Sequence, residues 1–93
     1  MLINNAGVSV FEDSISRTED AFDLVTDVNL KGTFNSIQSF VKCYDGSKQN
    51  NASVVNIGSI YGVVSPDFRM YGKSDRKNSE VYGATKAGII QMT

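Results

Sequence analysis

Histidine is absent from this 93-residue sequence, and cysteine occurs only once, as Cys43. Zinc and haem sites take most of their ligands from these two residue types, and Ser-His and Cys-His nucleophile pairs need an imidazole as the base. A single cysteine also has no partner for an internal disulfide. The composition therefore argues against metal hydrolases and triad proteases, and we expect no metal site.

Neither sign of charge dominates, since nine Lys and Arg residues stand against ten Asp and Glu residues and the net charge is −1. Nucleic-acid binding relies on clustered Lys and Arg that contact phosphates, so we expect no such partner. No apolar run approaches the ~20 residues of a membrane span, and the first residues lack the basic segment of a signal peptide. We expect a cytoplasmic protein with no membrane partner.

The hydrophobic pattern predicts a strand, a long helix and a second strand. Leu2 and Ile3 are strand-type residues that lead into a turn, and the β-branched run 53–57 predicts a buried strand that ends at Gly58. A helix is expected to begin after an N-cap at Ser16 or Thr18 and to continue to about Tyr44. Its apolar positions are Phe22, Val25, Phe34, Ile37, Val41 and Tyr44. This order is typical of a crossover unit in a parallel α/β sheet, where ligands bind beyond the carboxyl ends of the strands.

The second half of the chain predicts a long exposed loop followed by a helix. Residues 64–80 contain the only proline and many charged side chains, whereas 79–93 has helical spacing with Ser79 as an N-cap. The first strand has no lead-in and the last helix has no C-cap. We therefore expect residues 1–93 to be a fragment of one larger domain.

Tyr82 and Lys86 are the strongest candidates for chemistry in a chain without histidine. Residues at i and i+4 lie on one face of a helix, and an ammonium group beside a phenol favours the phenolate. Tyr82 is then able to act as an acid or a base near neutral pH. The spacing alone is common in helices, so the surrounding motifs have to carry the interpretation.

Four motifs occur together along the whole chain. They are Asn4-Asn5-Ala6-Gly7, Asp27-Val28-Asn29, Val55-Asn56-Ile57-Gly58-Ser59 and Tyr82-Gly83-Ala84-Thr85-Lys86-Ala87-Gly88. In this order the sequence resembles the classical short-chain dehydrogenases/reductases. The resemblance implies a Rossmann-type three-layer α/β fold with parallel strands and NAD or NADP as the cofactor. It also implies hydride transfer between that cofactor and an alcohol or carbonyl, in a homodimeric or homotetrameric parent enzyme.

The resemblance assigns roles to individual residues. Tyr82 resembles the general acid/base, and Lys86 the residue that favours the phenolate and binds the nicotinamide ribose. Ser59 resembles the hydroxyl that polarises the substrate oxygen, and Asn29 the asparagine that holds a water in a proton relay to Lys86. Asn5, Ala6 and Gly7 resemble the segment that borders the cofactor. These implied roles make Asn29, Ser59, Tyr82 and Lys86 catalytic candidates, while Tyr82 and Lys86 join residues 5–7 in binding the cofactor.

The sequence departs from the family pattern in two places. The Gly-rich phosphate-binding turn is missing, and so are the C-terminal strands, which agrees with a fragment of a single Rossmann-type domain. The stretch between Ser59 and Tyr82 is also longer than in most classical members. With Ser59–Val64 and Pro66–Arg69 it resembles bacterial members related to flagellin modification and nonulosonic-acid sugar biosynthesis, which implies a sugar derivative among the small-molecule substrates.

Two alternatives remain open from the sequence. The first is a truncated, catalytically inactive chain with at most an oligomer-assembly role, in which Phe34, Ile37, Val41 and Tyr44 supply a helical contact face. The second is a sugar-nucleotide dehydratase or epimerase of the extended branch, which shares the Tyr-x-x-x-Lys pair. The segment from Asn4 to Gly7 resembles the classical branch and argues against this second alternative.

Overall fold

Two short parallel strands form the sheet of this protein in a computed structural model that describes residues 1–44, 51–74 and 77–93. Strand β1 is Leu2–Asn4 and strand β2 is Val54–Asn56, with Ile3 opposite Val55. The side chains of Asn4 and Asn56 are also paired, since Asn4 Nδ2 donates to Asn56 Oδ1 at 2.8 Å. The predicted parallel strands are confirmed, and both carboxyl ends lie at the same edge of the sheet.

The connection between the strands is helical but not one regular α-helix. Helix α1 is Glu19–Thr26, a π-helical segment follows at Asp27–Lys31, and helix α2 is Gly32–Cys43. Thr18 is the N-cap, because its Oγ1 accepts a hydrogen bond from the Ala21 amide at 3.2 Å. The other candidate cap, Ser16, instead donates its hydroxyl to the Asp13 carbonyl at 3.3 Å. The periodicity predicted the helix but not its π-helical interruption.

Beyond β2, the chain forms two short 3-10 helices and a final α-helix. The 3-10 helices are Ile60–Gly62 and Phe68–Tyr71, so the predicted loop over 64–80 contains some regular structure. Residues 75 and 76 of that loop lie outside the described residues. Helix α3 is Glu80–Met92, and the Tyr82 amide donates to the Ser79 hydroxyl at 3.1 Å. The predicted N-cap of this helix is therefore correct.

The buried apolar side chains lie where α1 meets α3. They are Ala21, Val25, Val81 and Ile89, and Val25 is fully buried. Of the six apolar positions predicted for the first helical region, only Val25 belongs to this core, while Phe22, Phe34, Val41 and Tyr44 are exposed. A two-stranded sheet offers too little area to cover one side of so long a helix. Across the described residues, no helix combines the length and apolar character needed to cross a membrane.

Candidate active site

Lys86 is buried at the carboxyl end of β2. Helix α3 lies against this end of the sheet, and Lys86 Nζ donates to the Ile57 carbonyl at 2.7 Å. Only 4% of Lys86 is exposed, so this ammonium group needs partners inside the protein. It lies 5.6 Å from the centroid of the half-buried Tyr82 ring. The expected pairing of Tyr82 and Lys86 on one helical face is present.

Asn29 connects the loop after β1 to helix α3. It lies in the π-helical segment and is fully buried. Its Oδ1 accepts from the Val8 amide at 2.7 Å, and its Nδ2 donates to the Val8 carbonyl at 2.9 Å and to Thr85 Oγ1 at 3.1 Å. The Thr85 hydroxyl in turn donates to the Tyr82 carbonyl at 2.8 Å. These bonds satisfy every polar atom of the Asn29 amide and fix its orientation.

Gly7 lies where Asn29 and Lys86 approach each other. A Cβ atom at Gly7 would be 3.6 Å from Asn29 Oδ1 and 3.6 Å from Lys86 Nζ. These are ordinary contact distances, so a methyl group fits there but would cover both polar atoms. Glycine leaves both polar atoms uncovered on this side. Asn5 and Ala6, the other residues predicted to border the cofactor, are exposed beside it.

Ser59 follows β2 and begins the first 3-10 helix. Its Oγ accepts a hydrogen bond from the Tyr61 amide at 3.2 Å. The backbone of this turn packs directly on α3, because a Cβ at Gly83 would be 2.8 Å from the Tyr61 carbonyl oxygen. The close approach fixes the turn that holds Ser59 relative to the helix that holds Tyr82. The hydrogen bond described for Ser59 is local to its own turn.

The long stretch between Ser59 and Tyr82 folds back on itself. The hydroxyl groups of Tyr61 and Tyr71 are 3.1 Å apart and share a hydrogen bond, which raises the pKa of Tyr61. The exposed pair of Asp67 and Arg69 lies in the same stretch, and its hydrogen bonds lower the pKa of Asp67. The stretch therefore has internal contacts that no sequence pattern indicated.

Arg17 joins the loop after β1 to the first turn of α3. Its guanidinium donates to both Glu80 carboxylate oxygens, at 2.8 and 3.2 Å, and to the carbonyls of Val10 and Glu12, at 3.2 and 3.0 Å. The Arg17 side chain is 6% exposed and that of Glu80 is 50% exposed. The bond to Arg17 is the main cause that lowers the pKa of Glu80. Arg17 thus holds the loop at the end of the helix that carries Tyr82.

The structure brings together Gly7, Asn29, Tyr82 and Lys86 from the residues singled out in the sequence. Sequence reasoning missed the polar partners that hold them, namely Thr85 and the backbone groups of Val8 and Ile57. Thr85 lies inside a recognised motif, which is a signal that points to it. The backbone partners carry no sequence signal, because any residue supplies the same amide and carbonyl groups.

A parallel β-α-β unit with helix α3 at the carboxyl ends of its strands is typical of a Rossmann-type α/β fold. The sequence model of the short chain dehydrogenase family matches residues 1–93. The chain belongs to the short-chain dehydrogenase family.

Several relatives resemble the chain along its whole length. The 3-oxoacyl-[acyl-carrier-protein] reductase FabG of Thermotoga maritima is 39% identical over 93 residues, which is 100% of this chain and 33% of that protein. The FabG reductase of Staphylococcus aureus is 34% identical over the same 93 residues, again 33% of the relative. The chain thus spans about a third of the length of the curated relatives it matches.

Solved structures also resemble the chain along almost its whole length. A short chain dehydrogenase from Leptospira borgpetersenii with bound NAD+ has a TM-score of 0.87 and 43% identity, and the match covers 99% of this chain and 34% of that one. A protein from Agrobacterium tumefaciens with bound NADP, assigned as a 2-deoxy-D-gluconate 3-dehydrogenase, has a TM-score of 0.75 and 33% identity, covering 99% and 33%. These neighbours confirm the predicted fold class, of which this chain has a part.

Proposed function

We propose that residues 1–93 form the part of a longer NAD(P)-dependent dehydrogenase domain that carries its catalytic motifs. The enzyme transfers a hydride between a nicotinamide cofactor and a small alcohol or carbonyl substrate. The observation that carries the proposal is the approach of Lys86 Nζ and Asn29 Oδ1 to Gly7, where a Cβ atom would be 3.6 Å from each, with the centroid of the Tyr82 ring 5.6 Å from the ammonium. The coverage of about a third of each relative supports a longer domain, which by the family resemblance would include a Gly-rich turn and further strands.

In this proposal Tyr82 moves the proton. Its phenol protonates the oxygen of a carbonyl that is being reduced, or removes the proton of an alcohol in the opposite direction. The Ser59 hydroxyl donates a hydrogen bond to the same substrate oxygen and stabilises the negative charge that develops there. The Lys86 ammonium lies 5.6 Å from the centroid of the Tyr82 ring and places a positive charge on this side of the site. Asn29 orients the segment at Gly7 and supports a proton path toward Lys86.

The residues around Gly7 suit the nicotinamide end of the cofactor. An ammonium group has three donors, and the described residues use one of those on Lys86, in the bond to the Ile57 carbonyl. The remaining donors suit ribose hydroxyls, and the absence of a side chain at Gly7 leaves room for them. Asn5, Ala6, Gly7, Tyr82 and Lys86 would hold this part of the cofactor, which supplies or accepts the hydride when bound. The NAD+ and NADP found in the two structural neighbours support this assignment.

The relatives also bear on the substrate. FabG is named as a reductase of 3-oxoacyl groups on a carrier protein, and the Agrobacterium neighbour is assigned to a sugar acid, so a carbonyl or alcohol group is the shared feature. The branch related to flagellin modification finds no support among these relatives. A homodimeric or homotetrameric parent in the cytoplasm remains part of the proposal.

Replacement of Tyr82 by Phe in the full-length enzyme tests the proposal. The change removes one oxygen, and we expect turnover to fall at least about 1,000-fold because the proton donor is lost, while NADH still binds. The measurement is NADH oxidation with a carbonyl substrate, together with the fluorescence of bound NADH. The control is Tyr44→Phe at the end of α2, which is expected to retain activity. Substantial activity in the Tyr82→Phe enzyme would contradict the role of Tyr82.

A second candidate is an assembly role for an inactive chain. The exposed apolar side chains of the α1 and α2 region favour it, since Phe22 is 49% exposed, Phe34 50% and Val41 62%. Titration of NADH or NADPH into the isolated 93-residue chain tests the second candidate. Binding at micromolar concentrations would exclude a chain without a cofactor site.

A further inference from the structure

The guanidinium of Arg17 is nearly buried, although it has no part in the chemistry proposed above. Only 6% of the side chain is exposed, and a charge withdrawn from water is costly unless its donors are satisfied. Two of its hydrogen bonds go to the two oxygens of the Glu80 carboxylate, and two go to the carbonyls of Val10 and Glu12. One side chain therefore joins the loop after β1 to a helix that begins 63 positions later in the sequence.

A second link joins the same two segments. Asn29 binds Val8 of the loop through two hydrogen bonds and Thr85 of α3 through one. The loop after β1 is thus attached to α3 at Glu80, through Arg17, and at Thr85, through Asn29. Tyr82 lies between these two positions, which are about 1.4 helical turns apart. The backbone that carries the Tyr82 side chain is therefore held against the loop on both sides of this residue.

The loop and the helix carry the two halves of the proposed reaction. Gly7 belongs to the segment proposed to border the nicotinamide, and Tyr82 is proposed to move the proton. The separation of loop and helix therefore sets the separation of hydride and proton donors. Rates are sensitive to such distances, since a displacement of about 1 Å can cost about 100-fold. The Asn29 link holds α3 three residues after Tyr82, and the Arg17 link holds it two residues before.

We propose that Arg17 is a positioning residue for Tyr82. Its fork to Glu80 and its bonds to the loop carbonyls set where the first turn of α3 lies relative to the cofactor segment. The four bonds described for Arg17 are all to this chain, so it acts through Tyr82 rather than on the reacting atoms. A planar guanidinium spans these partners, whereas a lysine ammonium is a single point charge. The inference rests on the proposed function, in which Tyr82 is the acid/base.

Arg17→Met in the full-length enzyme tests the inference. The change removes the fork and keeps a long side chain in its place. We expect kcat to fall at least about ten-fold because Tyr82 is displaced, while the Kd of NADH changes less than about two-fold because Asn29 still holds the loop next to Gly7.

The assays are NADH oxidation with ethyl acetoacetate, a 3-oxo ester, and NAD+ reduction with 2-deoxy-D-gluconate. Rates are expressed per NADH-binding site, counted by fluorescence titration. A purely structural role of Arg17 lowers the number of sites and leaves kcat per site unchanged. An unchanged kcat per site would therefore overturn the inference.

Two milder variants keep the test decisive if Arg17→Met does not fold. Arg17→Lys keeps the charge but cannot bind Glu80 and the loop carbonyls together, so we expect kcat per site to fall about three-fold. Glu80→Gln keeps the size of the side chain and one acceptor oxygen, and a similar fall is expected. Full kcat per site in both variants would contradict the proposal. Lys42→Met is the control, since it removes an exposed cation on α2 that binds Gln38, and it should keep full activity.

The double variant with Arg17→Met and Glu80→Gln tests whether the two residues act together. If Glu80 acts through Arg17, its replacement adds nothing once Arg17 is gone, and kcat per site should stay within about two-fold of that of Arg17→Met. A loss equal to the product of the two single effects would show that they act separately and would overturn the link.

Tyr82→Phe, measured in parallel, separates this inference from the proposed function. Loss of turnover in Tyr82→Phe with full kcat per site in the Arg17 variants would overturn only the role of Arg17. Full turnover in Tyr82→Phe, or no turnover of either substrate by the original enzyme, would contradict the proposed function and with it the role of Arg17.

Discussion

Helix α3 is packed closely against the rest of the chain, whereas the sheet leaves apolar side chains exposed. On the α3 side, backbone meets backbone at Gly62 and Gly83, and a Cβ at Gly88 would be 2.6 Å from Leu30 Cδ1. On the sheet side, the cross-strand neighbours Ile3 and Val55 are 57% and 43% exposed. The close contacts on the α3 side hold the candidate active site in place. The sheet still presents apolar surface that a folded domain normally covers.

The overall dimensions agree with this comparison. The radius of gyration is 15.9 Å, whereas about 12 Å is typical of a compact domain of this length. The difference between the two sides indicates that the site geometry depends mainly on contacts within the chain. It also indicates that the sheet depends on neighbours from elsewhere in the proposed longer domain.

Asn29→Leu should have the largest effect on the well-packed side. The change leaves the Val8 amide, the Val8 carbonyl and the Thr85 hydroxyl without their bonds to Asn29. We expect the free energy of unfolding to fall by about 3 kcal/mol, because buried polar groups would lose their partners. Urea denaturation measures the loss. Asn35→Leu, an exposed change on α2, should cost less than about 0.5 kcal/mol, and equal losses in the two variants would contradict the comparison.

Gly83→Ala should have the next largest effect. The new methyl would lie 2.8 Å from the Tyr61 carbonyl oxygen, so the turn that holds Ser59 has to move away from α3. Overpacking of this kind costs about 2 kcal/mol and should also lower turnover. The matched control is Gly58→Ala, whose Cβ would be 3.7 Å from Ile90 Cγ1, an ordinary contact. Thermal unfolding of both variants measures this difference in stability. Equal unfolding temperatures would contradict the importance of the close approach between Gly83 and the Tyr61 carbonyl.

Glu80→Gln should have a smaller and pH-dependent effect. The bond to Arg17 lowers the pKa of Glu80 below its ordinary value of 4.5. A carboxylate with a lowered pKa stabilises the folded state above its unfolded pKa, and this stabilisation is lost as the pH falls through the folded value. Since half of the Glu80 side chain is exposed, we expect a cost of about 0.5 to 1 kcal/mol at pH 7.

Urea denaturation at pH 7 and below pH 4 measures this dependence. The difference between the original chain and the Glu80→Gln variant should shrink at the lower pH. The control is Glu19→Gln, which changes a glutamate in the first turn of α1 just as Glu80 lies in the first turn of α3. Glu19→Gln should lack the part of the effect that comes from Arg17. A cost for Glu80→Gln that does not change with pH would contradict the ion pair.

Much of the fold was predictable from local patterns. The β-branched run before Gly58 and the N-cap at Ser79 correctly indicated β2 and α3. The π-helical segment was not predictable, because its extra residue per turn leaves the amino-acid types unchanged. Arg17 and Glu80 are far apart in the chain, so no periodic pattern connects them.

The candidate site was likewise predictable only in part. Its motifs identified Gly7, Asn29, Tyr82 and Lys86, which the structure places together. The hydrogen bond from Lys86 to the Ile57 carbonyl had no sequence signal, since two separate segments have to fold against each other to form it. Local spacing therefore predicts which side chains share a helical face, whereas contacts between distant segments have to be observed.

Val55→Thr should have the smallest effect in the 93-residue chain, and it tests whether the exposed face of the sheet is covered in a longer domain. Threonine has nearly the shape of valine but adds a hydroxyl, which is harmless in water and costly where no partner is available. Because Val55 is 43% exposed, we expect a change in unfolding free energy of less than about 0.5 kcal/mol in this chain. In the full-length protein, where the proposed neighbouring elements cover the sheet, the same change should cost about 1 to 2 kcal/mol. Val25→Thr is the control, since Val25 is fully buried here and should cost the same in both. Equal costs for Val55→Thr in the two proteins would mean that nothing covers this face, and the sheet would then not depend on a longer domain.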